Sequence, residues 1–213
     1  MKELRMPPRL FFALALTLAP IAARAAPPAR DPDWPCPQIL VAKLSPANYW
    51  SGPLAQAAAD WHAEPKLADL IDAVSPRGVA TAAGTSRLAA FADQVPQDAR
   101  ARVLPLLFAG LVDRTNEERD VIITRIKELG ARQRALAKRI EADEARLQQL
   151  PENATGDTAA ERAGIIERHD LLVRSYHDIG ATLGYACQVP SDLDARLGAY
   201  AQTLAARLPA AHQ

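Results

Sequence analysis

From residue 67 to residue 208, apolar side chains recur at helical spacing. Leu67, Leu70, Ile71 and Val74 stand at i, i+3, i+4 and i+7. Leu88, Phe91, Ala92 and Val95 repeat that interval, as do Leu104, Leu107, Phe108 and Leu111. Each set collects on one stripe of a helix. Ser75-Pro76 and Val95-Pro96 predict the breaks between these helices, and Pro105 predicts a kink or a restart inside the third.

The next stretch changes period. Ile122, Ile126, Leu129, Gln133, Leu136, Ile140, Asp143, Leu147 and Leu150 alternate steps of four and three, a heptad seam with two polar members. Turn-forming residues occupy 151–157, and Thr158-x-x-Glu161 reads as a capping box for a second helix. On that helix Ile165, His169, Leu172, Tyr176, Ile179, Leu183 and Ala186 continue the same steps. Two seams joined by so short a turn predict an antiparallel α-hairpin over 113–187. Its arms span about 57 Å and about 45 Å at 1.5 Å per residue. Pro190 predicts the end of the second arm, and Ser191-x-x-Asp194 the cap of a last helix in 190–213. That helix carries Leu193, Leu197, Tyr200, Leu204 and Leu208. No stretch alternates with period two, so the expected class is all-α. In this reading a long coiled-coil-like hairpin has the short helices of 66–112 and the C-terminal helix packed at its base. Residues 66–213 then make one domain.

Proline interrupts this pattern at the front. Residues 27–65 hold eight prolines and all three tryptophans. Proline this dense sustains neither a long helix nor an inner strand, so 26–65 reads as an extended arm with one or two helical turns. Trp34, Tyr49 and Trp50 place large amphipathic rings on it. They either plug grooves between the base helices or form a partner-binding patch, since aromatic residues are enriched in interface hot spots.

Ahead of the arm, Lys2, Arg5 and Arg9 precede an apolar run from Leu10 to Ala23 and then Ala23-Arg24-Ala25. A basic start, an apolar run too short to span a bilayer and an A-x-A site read as a Sec-type signal peptide, cleaved after Ala25. The expected destination is the periplasm, with no transmembrane segment left in the mature chain. Cleavage also changes the charge. The whole chain balances 25 basic against 25 acidic residues; losing four bases and one acid leaves 21 against 24. That balance removes the main argument for nucleic acid, which calls for a basic face to neutralise phosphates, so nucleic acid is not an expected partner.

Export sharpens the reading of Cys36 and Cys187, the only cysteines. In an oxidising compartment an even number of cysteines normally pairs, which predicts a bridge from the arm to the end of the second hairpin helix. Across the hairpin, an antiparallel register brings Gln133 near Tyr176 and Asp143 near His169. Polar seam pairs of this kind set register, and a histidine–carboxylate pair would make the tip pH-sensitive. Gly180-x-x-x-Gly184 reads as a packing surface for the arm or the last helix.

Catalytic and metal-binding patterns are missing: no Gly-x-Ser-x-Gly elbow, no phosphate-cradling glycine loop, no His-Glu-x-x-His helix. His169-Asp170 and His177-Asp178 lie eight residues apart, which is not a helical ligand spacing. No catalytic residue, metal ligand or cofactor is expected. The sequence thus points to an exported, soluble, non-catalytic helical module that meets a periplasmic protein through its hairpin or its Trp-rich arm. A chaperone or small-ligand binder using a groove at the hairpin base is the alternative, with a metal-dependent enzyme behind it. Heptad seams can also be satisfied by a homodimer that pairs two hairpins in a four-helix bundle.

Overall fold

The computed structural model describes residues 31–50, 52–55 and 60–209. The expected signal segment 1–25, its cleavage site and His212 lie outside them. Among the described residues every regular element is helical and none is a strand, as the periodicity predicts. In chain order these are 3₁₀ turns at Pro46–Asn48 and Trp61–Ala63, then α1 (Pro65–Val74), α2 (Thr81–Gln94), α3 (Gln97–Gln149), α4 (Gly156–Ala186) and α5 (Val189–Ala205).

The ends of α1 and α2 fall at the predicted proline breaks. Each helix leaves unpaired carbonyls at its C-terminus, and α5 supplies donors for those of α1. The Tyr200 hydroxyl donates to the Val74 carbonyl at 3.0 Å, and the buried Arg196 guanidinium donates to the Ser75 and Pro76 carbonyls. A cation in this position also complements the helix dipole. Room for the tyrosine comes from Gly84 of α2, where an added Cβ would lie 2.0 Å from its hydroxyl oxygen. Gly84→Ala gains helix propensity but forces a buried ring to move. The expected outcome is a net loss of about 1–2 kcal/mol in a denaturant titration, against the usual gain of up to about 1 kcal/mol from Gly→Ala in a helix.

The largest difference from the sequence expectation is α3. No boundary falls near residue 112: the third short helix and the first hairpin arm are one 53-residue helix, about 80 Å long, with Pro105 inside it. Proline at this position costs the i−4 bond to Ala101, which is exposed and keeps its carbonyl in water. The apolar stripe meanwhile runs unbroken from Leu104 through Leu111, Thr115, Arg119, Ile123 and Ile126, all buried. Continuous burial on one face outweighs one missing hydrogen bond.

Two predicted caps also differ. The α4 helix opens at Gly156, whose φ of +59° lies in the left-handed region that glycine enters without strain. Thr158 and Glu161 therefore lie inside the helix rather than forming a capping box. At the other end, Pro190 sits in the first turn of α5, where its missing N–H costs nothing, and α4 has already ended at Ala186. Ser191 is not a cap, and Asp194 has a different partner.

The main core lies at one end of α3. Leu104, Leu107, Phe108 and Leu111 pack with Ile71 and Val74 of α1, Leu88 and Ala92 of α2, and Leu197, Tyr200 and Leu204 of α5. A smaller cluster further along α3 joins Ile126 and Leu183 to Cys36 and Cys187, flanked by Trp34, Ile122, Leu129 and Ile179. Beyond Gly130 only Asp143 of α3 is buried, with Leu150 just past its end.

Candidate functional site

The Pro-rich segment meets the helices differently from the partner-patch expectation. Trp50 is 5% exposed and stacks on Phe108, with ring centroids 5.2 Å apart, so it belongs to the core. Trp61 is buried as well; its indole N–H donates to Asp113 at 3.0 Å, in a space opened by Gly110. Tyr49 is half-buried, and its hydroxyl donates to the Asp194 carboxylate. Burial first, then that carboxylate, pushes the Tyr49 hydroxyl well above its ordinary pKa. Trp34 is half-buried over the small cluster and donates to the Gln38 carbonyl at 2.8 Å. Rings held in this way fill grooves between the base helices. Trp50 in particular is not available as a docking patch.

Cys36 and Cys187 stand at disulfide-bonding distance, with Cα atoms 5.6 Å apart across 151 positions of sequence. Between the bridge and the core, Arg119 of α3 fastens three segments. The residue is 3% exposed, and its guanidinium donates to the Val41 carbonyl of the arm and the Pro190 carbonyl of α5. Burial draws its pKa down and the facing Asp194 draws it up, with burial the larger effect. Sequence reasoning passed over this residue, although one signal was present: Arg119 falls on the apolar stripe between Thr115 and Ile123. A charge at such a position is buried only when its donors find acceptors, here the two backbone carbonyls.

Further along α3, contacts to α4 link Gln133 with the Tyr176 carbonyl at 3.4 Å, Asp143 with Arg168 at 2.6 and 3.0 Å, and Arg146 with Glu161 at 2.7 Å. Positions on α4 fall as those on α3 rise. The predicted seam positions from Ile126 to Leu150 and from Ile165 to Ala186 are each buried or half-buried. Gln133 and Tyr176 do meet, through the tyrosine backbone. The Asp143–His169 pair does not form. Arg168 reaches the carboxylate with two donors, a bidentate geometry the imidazole cannot match. His169 turns instead to Glu144 at 3.4 Å and Asp170 at 3.7 Å.

This substitution of partners moves the pH response. The Arg168 guanidinium holds the Asp143 carboxyl below its ordinary range. A depressed folded-state pKa contributes stability above the unfolded value, about 4, and loses it as pH falls below that. Arginine keeps its charge throughout. The melting-temperature difference between wild type and Asp143→Asn is therefore expected to persist at pH 8, where Arg168 is still charged, and to shrink below about pH 4. Thermal melts across that range check it.

A cleft of about 660 Å³ opens beside the bridge, lined by Pro35, Gln38, Gln133, Gly180, Gly184 and Cys187 among others. A Cβ at Gly184 would meet no atom within 4 Å, so this glycine faces open space instead of packing the arm. The arm approaches a helix closely at Gly130, where an added Cβ would lie 2.9 Å from the Pro35 ring. Ser191 and Asp192 also line the cleft. Among the described residues no group of three His, Cys, Asp or Glu side chains could hold a metal ion, and no helix is long and apolar enough to cross a membrane. No family model, curated protein or solved structure matches the chain.

Proposed function

We propose that the chain is an exported, non-catalytic interaction protein, cleaved after Ala25, whose α3 and α4 form an antiparallel coiled-coil hairpin that meets a periplasmic protein partner. One observation carries this reading: the two helices continue well past both apolar clusters, held there by a thin seam and by ion pairs of which only Asp143–Arg168 is partly buried. Surface pairs of that kind contribute little stability, at most about 1 kcal/mol each. A length of helix that adds so little to the fold is a device for reach. The Cys36–Cys187 bridge fits the same reading, since disulfides persist in oxidising compartments.

Photo-crosslinking in the periplasm tests it, with the probe at Asn153 in the turn and a control probe at Arg87 on the exposed face of α2. A partner crosslinked from Asn153 and absent from Arg87 supports the reading. Self-crosslinks alone would contradict it and favour a homodimer of hairpins. The cleft beside the bridge favours a second reading, a small-ligand binder. Hydrophobic-dye binding by the folded, oxidised protein, with no partner at Asn153, would point there.

A further inference from the structure

We propose that the Cys36–Cys187 bridge is a redox latch: its reduction releases residues 31–40 from the base of α3 and α4 and leaves the helical core folded. The inference does not depend on the partner of the hairpin.

Residues 31–40 contain no helix or strand. Apart from the bridge they are held by the Asp31–Lys127 and Asp33–Arg134 ion pairs, the Gln38 amide on the Cys187 carbonyl, and the packing of Trp34 and Pro35. The cluster beneath them is separate from the main core. From Val41 onward the anchorage changes. Arg119 holds the Val41 carbonyl, the Asn116 side chain bonds both the N–H and the carbonyl of Leu44, and Leu44 and Trp50 are buried in the main core. The natural hinge is thus between Leu40 and Val41.

Cys36 and Cys187 are themselves buried, at 8% and 7% exposure, but Cys187 lines the open cleft beside Gly180 and Gly184, and that cleft is the route by which a reductant reaches the bridge. The reductant is a dithiol. Its thiolate attacks one sulfur of the bridge, forming a mixed disulfide and expelling the other cysteine as thiolate. Its second thiol then attacks the mixed disulfide, so the dithiol leaves oxidised to its own disulfide and both cysteines end as thiols. Release of residues 31–40 uncovers Ile126, Leu183 and their neighbours Ile122, Leu129 and Ile179, an apolar strip that adjoins the cleft. Exposed strips of this kind mark binding surfaces.

The test compares oxidised mature protein with protein treated with dithiothreitol without denaturant, and with a C36A/C187A variant that mimics the open latch. Chymotrypsin cleavage after Leu40 is expected to accelerate by at least about tenfold in both latch-free forms, since cleavage tracks local opening. Sites at Leu67, Leu88 and Trp61 should stay uncut, and the helical circular dichroism should persist at 25 °C. Unchanged cleavage after Leu40 would overturn the proposal by showing that polar contacts hold the segment. Simultaneous cleavage at the core sites, or a bridge that dithiothreitol reduces only in denaturant, would overturn it as well.

Discussion

Replacing Cys36 and Cys187 together by alanine is expected to cost about 4 kcal/mol and to lower the melting temperature by roughly 8–16 °C for a chain of this size. The reason lies mainly in the unfolded state. A link across 151 positions removes loop-closure entropy from the denatured chain, and the chain-entropy relation puts that near 5 kcal/mol. Some of it is offset by relaxation of the arm once the link is gone. Domains are typically stable by about 5–15 kcal/mol, so the variant still folds at room temperature. Thermal melts of the oxidised wild type, the reduced wild type and the variant check the figure. The last two should agree, because both lack the same constraint. A shift of only a degree or two would mean that the unfolded chain already keeps its two ends close.

Arg119→Met is expected to cost about 3 kcal/mol, or roughly 6–12 °C in melting temperature. Methionine fills much of the volume but donates nothing. The Pro190 carbonyl, at a buried contact, loses its charged donor, and Asp194 loses the cation it faces. The Val41 carbonyl suffers less, since that residue is half exposed and water can replace the donor. Arg119→Lys should rescue little, because one ammonium cannot span two carbonyls that a planar guanidinium reaches together. Denaturant titrations of both variants check this. Equal stability of the lysine variant and wild type would show that charge alone, not the fork geometry, holds the three segments.

Local periodicity made the helices legible. Spacings of four and three from Ile126 to Leu150 coincide with reduced exposure at each of those positions. Breaks at Ser75 and Val95 were readable for a similar reason, since proline acts on its immediate neighbours. What the chain does at long range was less readable. Pro105 looks like a boundary on local grounds, yet it is absorbed because the burial of Phe108, Leu111 and Ile126 continues past it. Thr158 and Glu161 match a cap pattern, but Gly156 starts the helix two residues earlier. Asp143 and His169 lie close in register, and the choice of Arg168 depends on side-chain reach that a register count cannot supply. For Trp50 the residue type suited a surface or a core equally well, and only the position of Phe108 decides between them. Arg119 shows the opposite case: an arginine on an apolar stripe was visible, but its partners, at Val41 and Pro190, lie over 70 positions away.

On the proposed reading, the distal part of α3 and α4 serves reach and contact, not the stability of the core. Deleting residues 136–149 and 158–171 shortens each helix by two heptads, keeps the turn, and preserves the seam register. It removes the Asp143–Arg168, Glu144–His169 and Arg146–Glu161 contacts together. A single cooperative melt within about 5 °C of the full-length protein is the predicted result, matching a loss of at most about 2 kcal/mol. A shortened chain that fails to fold, or melts far lower, would contradict the claim and make the distal helices part of the structural core.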